Sequence, residues 1–396
     1  MLTATQQDRA LHLVQTLMAI AGKSGEEADV AAFVRSELQA AGVPESAMHH
    51  DSAHLRCPVP GSTTGNLIVQ LPGTRPGPSR LLMAHMDTVP ICVGSRPKQV
   101  EDRLVPTDAH TGLGADNRAG VATVLFAATE LLRQNVPHAP LTLLFSVQEE
   151  IGIQGIRHMD VEALGQPALA FNWDGSDPAK LTVGAIGGYR MTIDVRGQAS
   201  HAGVAPQKGI SAVTVAGVAI NKLHHAGLLG KIEQEGLTGT SNIGTINGGN
   251  ATNVVADHVQ LRAEVRSHAK ETIAQLVTRF ETAFREAAQE VVNDQGEHAT
   301  VSFDGDLNYE PFRMRTDSPS VRVAEAALKG LGIEPIHAIA NGGLDANWMF
   351  RHGIATVSLG CGQKNPHMTS EMLLIPQFHT ACEVALRIAA GEDEVA

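Results

Sequence analysis

Five short polar clusters in this chain hold the residue types that bind metals and move protons. They are His85-Met86-Asp87, Asp116-Asn117, Glu149-Glu150, Asn172-Trp173-Asp174 and Pro366-His367. Two histidines and several carboxylates, with no cysteine among them, suit borderline metals such as Zn²⁺, Co²⁺ or Mn²⁺. His85 and Asp87 are two apart, so in an extended segment both side chains leave the same face. Asp87 can then hold the far ring nitrogen of His85 and set its tautomer instead of binding an ion itself. Adjacent Glu149 and Glu150 point in different directions, so one can bind metal while the other stays free as a base. Singly each motif is ordinary: an HxD is commonly a solvated turn, a Glu pair is commonly surface charge, and Asp116 alone reads as a helix N-cap. Their order along the chain is what makes the set informative.

Four of the clusters follow short apolar runs, at residues 81–84, 141–147, 168–171 and 354–359, and the fifth opens a helical pattern at 119–133. Apolar strands alternating with helices indicate α/β architecture, a mostly parallel sheet covered on both faces. In such sheets functional groups gather past the carboxyl ends of the strands. All five clusters are therefore expected to meet along one edge of one sheet.

Upstream, residues 6–21 carry a helical apolar stripe. Ser24 and Glu27 then have the spacing of a capping box, opening a second helix that runs to Ala41. The stretch from 184 to 300 reads differently: strand, helix, strand, strand, helix, strand. That order suits a small open sheet with two helices on one side. A strand like those of the first half returns at 354, so the stretch is expected to be an insertion. The expected division is 1–184 with 305–396 as one discontinuous domain and 185–304 as the other.

At about 150 residues per domain, 396 residues suit two domains. A composition of 43% hydrophobic and 18% charged residues excludes disordered and fibrous classes. Only 4% are aromatic, so the core must be aliphatic and Ala-rich. The formal charge is −12 with no basic stripe, which argues against nucleic acid or an anionic membrane as partner. Cys57, Cys92, Cys361 and Cys382 are scattered singly, without metal-ligand spacing or a disulfide framework. No signal pattern and no apolar run near the roughly 20 residues of a membrane span occur, so a cytoplasmic protein is expected.

In this order, HMDTVP, LGADNRAG, VQEEIG, NWDG and NPHMTSE resemble the family of two-zinc exopeptidases and amidohydrolases. That family includes glutamate carboxypeptidase, acetylornithine deacetylase, succinyl-diaminopimelate desuccinylase and peptidase T. The separations fit too: 31 residues from His85 to Asp116, 34 on to Glu150 and 24 on to Asp174. The resemblance spans nearly the whole chain. SHAGVAPQKGISA, GGNATNVVADHVQLRAEVRS and NGGLDAN most resemble the peptidase T-like branch.

The resemblance implies a zinc-exopeptidase-like sheet with an inserted ferredoxin-like α+β lid that also dimerises the protein. It implies that His85 and Asp174 bind one metal, Glu150 and His367 the other, and that Asp116 bridges them. Asp87 would orient His85, and Glu149 would be the general base for a hydroxide shared by two divalent ions, zinc or else cobalt or manganese. His201 matches a residue that in relatives reaches the partner subunit's site and steadies the oxyanion. Asn253, Arg266 and the turn at Gly342 and Gly343 match positions that contact the substrate's polar ends. Asn117 stands where many relatives carry a second Asp.

The implied activity is amide hydrolysis in short peptides, of the tripeptidase kind. Its rivals are an N-acyl-amino-acid deacylase or carboxypeptidase and, from another class, a catalytically silent binding protein. Arg266, Lys208 and Arg313 are candidate partners for a substrate carboxylate, and Asp345 and Glu310 for a free amine. The sequence does not choose between them.

Overall fold

The computed structural model describes residues 1–391, which form two units. One comprises Met1–Ala185 together with the chain from Arg313 onward, and the other Ile186–Phe312.

In the first unit the strands Leu141–Ser146, Arg80–His85, Leu169–Trp173 and Thr356–Leu359 lie side by side and parallel. They are buried along their whole length, as their unbroken apolar runs require. Antiparallel strands flank them: Leu67–Leu71 with Met48–His50 on one side, Lys180–Ala185 on the other. The α/β class and its parallel sheet are as expected. Among the described residues no helix is long and apolar enough to cross a membrane.

The helix Ala115–Arg133 packs on this sheet and against the helices Ala4–Ala19 and Ile375–Ala390, and it is buried on every side from Asn117 to Leu131. Its many Ala and Gly residues permit that depth. At Gly120 an added Cβ would lie 2.1 Å from the carbonyl oxygen of Trp173, so only glycine lets helix and strand come this close.

Two features of this first unit depart from the sequence reading. The second helix starts at Ala28, and the expected capping box is not formed: Glu27 occupies the N-cap position without a side-chain cap bond. Both side chains are drawn off by distant partners. A small antiparallel sheet also appears, built from Pro97–Val100, Arg103–Pro106, Met372–Leu374 and Gln363–Lys364. Its strands are two to four residues long, too short for an alternation pattern to show.

The second unit is a five-stranded antiparallel sheet ordered Gly230–Gln234, Leu237–Gly248, His258–Ser267, Gly187–Arg196 and Thr300–Tyr309. The helices Ala212–His225 and Lys270–Glu290 cover its apolar face, where Ile193, Val195, Leu261 and Val265 meet Leu276, Phe280 and Phe284. The last strand runs on to Tyr309 because it stays paired to Gly188. The unit therefore ends at Phe312 rather than at 304.

Candidate functional site

His85 ends its strand, and the parallel register sets it opposite Ser146. The two chains thus leave the sheet at one level, one toward Asp87 and the other toward Glu149 and Glu150. Trp173 ends the next parallel strand, which brings Asp174 to the same edge. Asp116 arrives at the mouth of the helix Ala115–Arg133, where its backbone is not yet helical (φ −83°, ψ 104°). His367 comes on the loop joining Gln363–Lys364 to Met372–Leu374. Gln148, Asn365 and His367 all hold the left-handed conformation, at φ 53°, 52° and 63°, which non-glycine residues adopt at a cost and which clusters at functional sites.

The candidate ligand atoms form two groups that share one residue. Those of His85, Asp116 and Asp174 lie within 4.8 Å of one another, and so do those of Asp116, Glu150 and His367. His85 Nε2 is 3.3 Å from Asp116 Oδ1 and 4.0 Å from Asp174 Oδ2. His367 Nε2 is 3.3 Å from Asp116 Oδ2 and 2.9 Å from Glu150 Oε2. The two oxygens of Asp116 therefore face different donor groups. Its Oδ1 is buried and takes no hydrogen bond. Two imidazoles and three carboxylates arranged this way fit a pair of borderline divalent ions.

The electrostatics point the same way. Burial, and then the charge of Asp116, push the Asp174 carboxyl up to about 6. Burial pushes Glu150 up to about 7 against the bond from His367. Glu149 rises well above the ordinary range through burial and through Glu150, Asp345 and Asp174. His367 is raised to about 10 by its bonds to Asp116 and Glu150. Crowded, buried carboxylates of this kind are relieved by nearby positive charge.

Asp87 sits beneath the cluster, fully buried. Its Oδ1 lies 3.3 Å from His85 Nδ1. It accepts the backbone N–H of Glu149 at 3.0 Å and of Glu150 at 3.1 Å. Burial opposes its charge, but these donors and Ser24 outweigh that and hold the carboxyl low. Both ends of the Asn117 amide are engaged: it donates to Trp173 O at 2.8 Å and its Oδ1 accepts from Gly120 N at 3.0 Å, tying helix to strand.

Glu371 escaped the sequence reading. Its carboxylate accepts the N–H groups of Leu113, Gly114 and Asp116 at 2.8, 2.7 and 2.9 Å, fixing the turn that presents Asp116. The one available signal was its place four residues after His367, in a string already singled out.

His201, Asn253 and Arg266 lie on the second unit. There His201 Nδ1 accepts from Gly203 and Val204, each at 3.2 Å, and Asn253 O accepts from Ala202 N at 3.0 Å. Arg266 forms a fork with Glu264 at 3.0 and 3.1 Å. Gly342 and Gly343 lie in the turn before the helix Asp345–Arg351. Asp345 is 1% exposed and receives the Ser146 hydroxyl, so it offers little to a substrate amine. Glu310 pairs with Lys270 at 2.8 Å.

The model of a family described as peptidase family M20/M25/M40 matches residues 81–391. The Bacillus subtilis protein YqjE is 34% identical over 331 residues, which cover 83% of this chain and 85% of that one. A tripeptidase from Staphylococcus aureus superposes with a TM-score of 0.86 at 28% identity, over 98% of this chain and 99% of its own. The aminopeptidase PepT of Bacillus cereus gives a TM-score of 0.82 at 32% identity, over 97% and 98%.

Proposed function

The chain belongs to peptidase family M20/M25/M40, and on that premise we propose that it is a two-metal aminopeptidase that removes the first residue from tripeptides and similar short peptides. The observation that carries this reading is the placement of Asp116, whose two oxygens face two separate groups of metal-ligand side chains. The likeness to a tripeptidase and to an aminopeptidase supports the substrate class.

In this reading His85 and Asp174 would hold one ion and Glu150 and His367 the other, with Asp116 common to both groups. Divalent ions held there would supply Lewis acidity toward the scissile carbonyl and toward a water. Zinc suits the mixed imidazole and carboxylate donors. Asp87 accepts from the Nδ1–H of His85, its backbone O at 3.2 Å and its Oδ1 at 3.3 Å, and so presents Nε2 to the cluster. Glu149 has a carboxyl raised by burial and by its neighbours, which suits it to accept the water's proton and pass it to the leaving amine. His201, acting from a second copy of the chain, steadies the oxyanion, and Asn253, Arg266, Gly342 and Gly343 meet the substrate's polar ends. These last assignments rest on the resemblance, as do a homodimer and a cytoplasmic setting.

Metal-reconstituted protein should be offered free tripeptides, the same peptides N-acetylated, the same amidated at the C-terminus, and N-acetyl amino acids, with products read by mass spectrometry. Loss of cleavage on N-acetylation alone is the expected result. Cleavage that tolerates N-acetylation but needs a free carboxylate would overturn the aminopeptidase reading in favour of a carboxypeptidase or deacylase.

A further inference from the structure

The Ser-x-x-Glu pattern at residues 24 and 27 does not cap the helix that follows it, yet both side chains are engaged. Ser24 Oγ donates to Asp87 Oδ2 at 2.6 Å, 63 residues away in sequence. Glu27 is buried, and its Oε1 accepts the backbone N–H of Gly25 at 2.8 Å and of Gln148 at 3.0 Å, the latter across 121 residues. The turn is pinned alongside: Thr88 N donates to Gly22 O at 3.2 Å, and the buried Arg118 guanidinium donates to the same oxygen at 3.1 Å.

These contacts fall on two points that matter. Asp87 is the carboxylate against which His85 and the N–H groups of Glu149 and Glu150 are set. Gln148, immediately before Glu149, holds a left-handed backbone at φ 53°, a conformation that persists only where surrounding contacts over-determine it. A buried acceptor on its N–H is such a contact. Placing Glu27 near Asp87 is also unfavourable in itself, because burial and the Asp87 charge oppose its ionisation. A helix cap would not need that arrangement.

We propose that the turn at residues 24–27 is a positioning element for the hydrolytic reaction, Ser24 fixing the Asp87 carboxylate and Glu27 clamping the backbone of Gln148 so that Glu149 is aimed. The inference rests on the function proposed above, but the clamp itself can be read without any activity.

The test uses full-length Ser24→Ala, Ser24→Thr, Glu27→Leu and Glu27→Gln. Hydrogen exchange of the metal-free proteins is followed over residues 146–150, and kcat and KM are measured on a free tripeptide after metal loading. Glu27→Leu is expected to speed exchange in that segment about tenfold and to lower kcat about 10–100-fold with KM little changed. Ser24→Ala should lower kcat about tenfold, the usual scale for losing a hydrogen bond to a charged group. Glu27→Gln keeps an acceptor oxygen and Ser24→Thr keeps the hydroxyl, so each should recover most of kcat. Parental exchange and kcat within about twofold in both Ser24→Ala and Glu27→Leu would overturn the proposal. So would losses matching only the folded fraction. Should Glu27→Leu not fold, Ser24→Ala, which removes one hydroxyl, decides. If the parent cleaves no tripeptide, the tripeptidase reading falls, and exchange alone settles the clamp.

Discussion

The backbone N–H of Glu149 donates to Oδ1 of Asp87 at 3.0 Å, and that same oxygen lies 3.3 Å from Nδ1 of His85. One buried carboxylate thus sets both an imidazole at the end of one strand and the glutamate pair beyond the neighbouring strand. Neither can shift without disturbing the other.

Asp87→Ala should therefore weaken metal binding and lower kcat together, each by about 10–100-fold. Chelator competition and initial rates on a tripeptide check this. A variant with parental metal affinity would show that His85 is oriented by something else.

Glu371→Leu leaves the N–H groups of Leu113, Gly114 and Asp116 without their acceptor. Hydrogen bonds to a buried charge are worth about 2 kcal/mol each, and losses in one network are not additive. A stability loss of about 2–4 kcal/mol by denaturant titration is expected, with weaker metal retention. Glu371→Gln, which keeps one oxygen, should lose less.

Gly120→Ala places a methyl 2.1 Å from the Trp173 carbonyl oxygen, so the helix must move away from the strand that leads to Asp174. Overpacking of this kind costs about 1–3 kcal/mol. Metal affinity should fall with it, because Asp116 and Asp174 come from the two elements pushed apart. Unchanged affinity in a calorimetric titration would contradict this link.

Metal loading should release protons. In the metal-free protein burial pushes the Asp174 carboxyl up to about 6 and that of Glu150 up to about 7, and bonds to Asp116 and Glu150 raise His367 to about 10. Raised values mean that the protons stay on until pH passes them, and ligands must shed them to bind an ion. Apparent affinity should therefore rise with pH from about 6 to about 10, with more protons released per ion at the lower end. Calorimetry in buffers of different ionisation enthalpy measures that release, and a pH-independent affinity would count against His367 and Glu150 as ligands.

The cluster of His85, Asp116, Glu150, Asp174 and His367 was legible because each residue follows an apolar run or opens an apolar helix, and parallel strands end together. Its support was not. Glu371 holds backbone N–H groups more than 250 residues away, and a bond to a backbone amide leaves no mark on sequence periodicity. Ser24 and Glu27 match a local pattern, the capping box, and tertiary contacts overrode it. Gly120 lies within the helical pattern at 119–133, and nothing local shows that a strand carbonyl will lie against it. The small sheet at residues 97–106 and 363–374 went unseen because its strands are short.

On the function proposed above, Glu149 moves the proton while its neighbours hold the ions. Metal content and kcat on a free tripeptide, measured on one preparation of Glu149→Gln, test it most directly. Both ions should be retained and the melting temperature unchanged, with kcat lower by about 10³-fold or more, the scale of a lost general base. A fully loaded, folded Glu149→Gln that hydrolyses the peptide within about tenfold of the parent rate would contradict it.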